Sequence, residues 1–197
     1  MISLTAQQIS FFAKNGSLEL EGLLTGAECQ MIRHAFQGTE RDLWRKSPPL
    51  KTLLLSRKLS GLALSLTAKN SLHLALDHWF PSGYCLPQPT KLKDLFSIQG
   101  LNCALFLRVD NHEVSPSKTP IGLFPFPKAQ GDVLFVNPNL LLNWPETPAP
   151  LYLVAYAQAH SVFVHNPQDT AGTALRGLGY EYGDTLRNDA HPLIQKN

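Results

Sequence analysis

Gly131-Asp132-Val133-Leu134-Phe135-Val136-Asn137-Pro138-Asn139-Leu140-Leu141-Leu142-Asn143-Trp144 is the stretch that decides the fold. A Gly-Asp turn launches a short run of β-forming apolar residues and Asn-Pro breaks it, which predicts a buried strand and then a bend. Leu151 to Ala157 has the same character.

The opening of the chain is the best punctuated part. Thr5 followed by Gln8 makes a capping box, with Leu4 and Ile9 at the staple positions; Ile9, Phe11 and Phe12 give the helix an apolar side before Gly16 ends it. Ser17 to Glu21 alternates, Leu18 and Leu20 facing one way and Glu19 and Glu21 the other, as in a half-buried strand. Thr25 and Glu28 repeat the capping box, with Leu24 and Cys29 as staple and Met31, Ile32 and Phe36 on the apolar side up to Gly38. Helix, strand, helix is the expectation.

Residues 39–60 hold Arg41, Arg45, Lys46, Lys51, Arg57 and Lys58 around Ser47-Pro48-Pro49, and read as a solvated connection in preference to the alternative, a phosphate-binding patch; a helix over 52–66 is compatible with the leucines. Ser71 to Phe80 alternates as a strand, Leu72, Leu74 and Leu76 on one face and His73, Ala75, Asp77 and Trp79 on the other. His73 and Asp77 would share a side but stand about 13 Å apart, far for ligands of one ion, so polar lining is favoured. Pro81 to Pro89 is turn material, Leu95 to Val109 a long buried strand, and residues 110–120 a polar loop whose Asp110, His112 and Glu113 are of ligand type. Leu151 to Gln158 and Ser161 to Val164 close the strand series. A turn at Asn166 to Asp169 and a short helix ending near Gly179 follow.

In order and spacing, Leu4-Thr5, Gln8, Phe12, Gly16, Glu21-Gly22-Leu23-Leu24 and Glu28-Cys29, with the Gly-Asp strand, resemble phytanoyl-CoA dioxygenase-like proteins, a branch of the Fe(II)/2-oxoglutarate oxygenases. The resemblance implies a mainly β fold with flanking helices: a double-stranded β-helix (jelly-roll, cupin-like) barrel with the helix-strand-helix packed on its outside. It also implies one domain over 1–197, with the opening module at 1–38, the barrel core at 50–165, and a C-terminal turn and short helix at 166–197. The family holds iron with two His and one carboxylate, and pairs 2-oxoglutarate with a basic residue. Laid on this sequence, the distal His falls on Leu142, followed by Asn143. The His-carboxylate pair falls near Ser97 to Gln99, and the basic residue near Pro150 and Leu151. None of the seven His is followed two residues on by Asp or Glu, and no Lys or Arg lies between Lys128 and Arg176.

Composition excludes other classes. With 44% hydrophobic and 16% charged residues and a net charge of +2, the chain is ordinary globular material without the basic stripe that nucleic acid requires. The three cysteines lack zinc-ligand or redox spacing. No signal peptide and no membrane-length apolar run is visible, so a cytoplasmic protein is expected. Phosphate-loop, nucleophile-elbow and dinucleotide fingerprints are missing.

The expectation is a phytanoyl-CoA dioxygenase-like chain that has lost its Fe(II) and 2-oxoglutarate ligands and serves as a non-catalytic binding or interaction protein. It would take a small apolar or acyl ligand or a protein partner, and Gln99, Leu142, Asn143 and Tyr156 are the pocket candidates. Two alternatives stay open. One is an active Fe(II)/2-oxoglutarate oxygenase with ligands relocated among His73, Asp77, Asp110, His112 and Glu113; the other is a metal-free cupin enzyme acting on a sugar or small molecule.

Overall fold

Both capping boxes form. Thr5 and Gln8 close the start of α1 (Ala6–Asn15), and Thr25 and Glu28 that of α2 (Gly26–Ala35), each side chain satisfying an otherwise orphaned backbone N–H. Gly16, at φ 74°, ends α1 in the left-handed region. Between the helices lies β1 (Ser17–Leu20). The computed structural model describes residues 3–36, 40–84, 89–111, 126–142, 150–169 and 171–196.

The remaining elements are α3 (Pro48–Leu54), α4 (Leu62–Leu66), β2 (Ser71–Phe80), β3 (Thr90–Lys91), β4 (Ile98–Arg108), β5 (Val133–Val136), β6 (Leu141–Leu142), β7 (Leu151–Phe163), α5 (Thr173–Gly177) and β8 (Leu193–Gln195). Among the described residues a six-stranded antiparallel sheet runs β1-β5-β4-β7-β2-β8, and a two-stranded one pairs β3 with β6. The architecture is mixed, helices on a jelly-roll-like sheet pair. The expected closed barrel is corrected: the described strands leave the large sheet open, with β1 and β8 at its edges.

Alternation along the strands divides the core in two. On the helix side, Phe12, Ile32, Leu50, Leu54 and Leu66 pack against Leu72, Leu74, Leu105, Leu107, Phe135 and Tyr156. On the opposite, inner side, Leu76, Phe80, Ala104, Phe106, Leu134, Val136, Leu153 and Ala155 meet Leu92, Phe96 and Leu142 of the small sheet's layer and Tyr180 from the C-terminal segment. The N-terminal module thus lies on the outside, as the resemblance implied, and β1 extends the sheet.

The Gly-Asp pair explains that docking. Gly131 sits at φ 92°, where a Cβ would stand 2.4 Å from the carbonyl oxygen of Leu24. Asp132 accepts the N–H of Gly22 at 2.8 Å and of Ala129 at 2.8 Å, tying the β1–α2 connection to the turn before β5.

Four expectations need correction. Residues 39–60 are no solvated connection, because Leu43, Trp44, Leu50, Leu53, Leu54 and Leu59 are buried. The helix over 52–66 is broken by a π-helical turn at Arg57–Gly61, where the Ser60 hydroxyl donates to the carbonyls of Leu55 and Ser56 and competes with the backbone ladder. The last two strand segments are one continuous β7. The C-terminus adds a strand, β8, beyond the short helix.

Candidate functional site

The inner wall is almost wholly apolar, so its polar side chains stand out. Alternation would put His73 and Asp77 together, but the pairing of β2 with β7 slips between Leu74 and Leu76, leaving Ala75 as an extra residue. His73 therefore pairs with Ala157 on the inner side, and Asp77 with Val154 on the helix side. The expected shared face is overturned by one bulge.

Asp77 serves the packing of the 41–45 segment. Its Oδ1 accepts the N–H of Leu43 at 2.8 Å, and its Oδ2 accepts the N–H of Trp44 at 2.9 Å and the hydroxyl of Tyr152 at 2.6 Å. Burial pushes its carboxyl up to about 7, against the pull of these hydrogen bonds. The neighbouring Asp42, backed by Arg41 and Arg45, is also raised by burial.

His73 is committed to the C-terminal segment, its Nδ1 donating to the carbonyl of His191 at 2.6 Å. His191 is fully buried. Arg45 donates to its Nε2 at 3.0 Å, which leaves the proton on Nδ1, directed at the Tyr180 hydroxyl at 2.8 Å. Burial, with Arg45 beside it, pulls His191 down to about 3, so it stays neutral.

A second polar group gathers at the inner end of β2. Arg41 bridges to His78 across the backbone and forms an ion pair with Asp169. The other oxygen of Asp169 accepts the N–H of Ser97 at 2.6 Å. The Arg41 guanidinium lies 5.3 Å over the Phe96 ring, and His78 meets Phe80 edge-on at 4.5 Å. Gly172 packs so tightly here that a Cβ would come within 2.2 Å of the Ser97 Oγ. Burial, with Arg41 near, pulls His78 down to about 4. A third group stands at the end of β4, where the buried Arg108 pairs through Nε with Asp110 at 2.7 Å.

Of the described pocket candidates, Leu142 and Tyr156 stand on opposite sides of the large sheet. Leu142 is fully buried on the inner side, whereas its neighbour Leu141 is 54% exposed. Tyr156 is on the helix side, its hydroxyl donating to the Leu54 carbonyl at 2.6 Å, and Gln99 is exposed near the start of β4. Asn143, His112 and Glu113 lie outside the described residues. Sequence reasoning missed Arg41, His78 and Asp169 as a group. Arg41 reads as one of many cations and Asp169 as turn material, and no spacing rule joins three such distant segments.

The positions that the resemblance assigns to iron do not fit the ion: Leu142 is a buried aliphatic, Ser97 offers its backbone to Asp169, Ile98 is core, and Gln99 is exposed. Leu151, near where the resemblance expects the basic residue for 2-oxoglutarate, is likewise a buried aliphatic. Among the described residues, no three His, Cys, Asp or Glu side chains stand together as a cation site.

No family model matches the sequence, and no curated protein does. Solved structures do match. The non-heme alpha-ketoglutarate-dependent carbocyclase SnoK from nogalamycin biosynthesis is 16% identical, with a TM-score of 0.70 over 98% of this chain and 97% of that one. The epimerase SnoN in complex with Fe3+, alpha-ketoglutarate and nogalamycin RO is 13% identical, with a TM-score of 0.69 over 96% and 98%. HygX from Streptomyces hygroscopicus, with nickel and 2-oxoglutarate bound, is 15% identical, with a TM-score of 0.59 over 93% and 98%. The chain therefore has the fold these enzymes share, a jelly-roll sheet pair flanked by helices, here with its larger sheet left open among the described residues.

Proposed function

We propose that this chain is a phytanoyl-CoA dioxygenase-like protein that holds neither Fe(II) nor 2-oxoglutarate and acts as a non-catalytic binding or interaction protein. Its ligand-facing surface is the inner wall and rim of the sheet, suited to a small apolar or acyl ligand. The observation that carries this is Leu142. At the position where the resemblance expects a metal-binding imidazole, β6 turns an aliphatic side chain into the inner cluster and exposes its neighbour instead. The apolar Leu151 and the exposed Gln99 support the same reading at the other two positions. Fold alone does not give activity.

The test is elemental analysis of protein purified with added Fe(II), followed by a thermal-shift series with Fe(II) and 2-oxoglutarate. Sub-stoichiometric iron, an unmoved melting temperature and no succinate are expected; a cosubstrate at 100 times its Kd would add about 2.7 kcal/mol. One iron per chain with turnover of 2-oxoglutarate would instead establish an oxygenase with relocated ligands.

A further inference from the structure

We propose that Arg41 and His78 form a recognition point on the inner wall for an uncharged carbonyl group, such as an amide, lactam or ketone, carried on an apolar frame. This names the ligand class of the binding role proposed above and rests on that reading.

Two polar atoms in this patch are buried and have no hydrogen-bond partner among the described residues: Nε of Arg41 and Nδ1 of His78. Cross-strand partners present their side chains on one face, within reach of a common ligand. An unmatched buried donor or acceptor is unfavourable by roughly 1–3 kcal/mol, so a ligand that satisfies both gains what the protein alone forgoes. Both residues keep part of their surface exposed, so a ligand that reaches them from the rim has only a thin cover to displace from the two buried atoms.

The charge balance selects the ligand. Arg41 is already neutralised by Asp169, in an ion pair whose side chains are 8% and 4% exposed. Both oxygens of Asp169 are occupied, one by Arg41 and one by the Ser97 N–H. A carboxylate arriving here would add an uncompensated charge to an apolar wall. A carbonyl oxygen adds none. It accepts the Arg41 Nε–H, and the neutral imidazole then serves it as second donor or accepts from an adjoining amide N–H, depending on its tautomer. Phe80 and Phe96 flank the pair, and Leu76 and Phe106 continue the apolar surface for the frame.

The experiment follows the Arg41 Nε–H and the His78 ring in 15N-labelled full-length protein during titration with ε-caprolactam, and separately with hexanoate. Caprolactam should shift both sets saturably at millimolar concentration and hexanoate roughly tenfold more weakly. The shifts should be lost in Arg41→Lys and in His78→Phe, the second of which leaves the Arg41–Asp169 pair intact. Unmoved resonances would mean that the two atoms merely hold solvent, and equal response to hexanoate would mean an anion site; either overturns the proposal. Repeating the titration with Fe(II) and 2-oxoglutarate separates the two readings, since succinate formation would refute the binding role whatever caprolactam does.

Discussion

The hydroxyl of Tyr152 donates to Asp77 Oδ2 at 2.6 Å, and the same carboxylate receives the N–H groups of Leu43 and Trp44. One acid on β2 therefore fixes the segment that delivers Arg41 to the inner wall and Arg45 to His191. Tyr152→Phe should lower stability by roughly 1–2 kcal/mol, read by urea denaturation, because it strips a donor from a buried carboxylate.

The pH dependence has a defined sign. Asp77, raised from 3.8 to about 7, contributes stability that is lost as pH rises through that window. His78 and His191, lowered from 6.5 to about 4 and about 3, contribute stability that is present above 6.5 and lost as pH falls toward those values. The histidines act against Asp77, so the acid loss is blunted. Asp77→Asn should steepen it between pH 7 and 4 by up to one proton, about 1.4 kcal/mol per pH unit. Denaturation midpoints at a series of pH values, wild type against variant, decide it.

The Gly-Asp turn should be intolerant. Gly131→Ala combines φ 92° with a Cβ placed 2.4 Å from the Leu24 oxygen, and should lose about 3 kcal/mol. Asp132→Ala strands two N–H groups, and should raise hydrogen exchange at Gly22 and Ala129 before the rest of the sheet opens.

Leu142→His should not restore a metal site. It sets an imidazole among aliphatics with no described carboxylate partner, so roughly 2 kcal/mol of stability should be lost and stoichiometric iron should not appear in elemental analysis.

Tyr156→Phe should behave differently from any inner-wall change. It removes the bond to the Leu54 carbonyl, at about 1 kcal/mol, and leaves caprolactam shifts at Arg41 and His78 unaltered, since Tyr156 stands on the other side of the sheet.

Much of the frame was legible in the sequence because it rests on local rules. Thr5 with Gln8, Thr25 with Glu28, and the alternation at Leu18 and Leu20 each declare themselves within a few residues. The π-helical turn was hidden, since Ser60 looks like any small helix residue until its hydroxyl meets the carbonyls of Leu55 and Ser56. The sides of β2 were hidden too, because apolar residues on both faces let an extra residue pass unseen. The site was least legible. Leu142 could be placed from the resemblance, but Arg41, His78 and Asp169 meet only through the tertiary fold, and Arg45 finds His191 the same way.

The slip at Ala75 also sets how this strand can change length. Removing Ala75 would leave Leu72, Leu74, Asp77 and Trp79 toward the helices and His73, Leu76, His78 and Phe80 toward the interior, because the flanking halves already alternate as if it were missing. A one-residue deletion there would straighten β2 without turning it inside out, so homologues one residue shorter at this point are compatible with the same two cores.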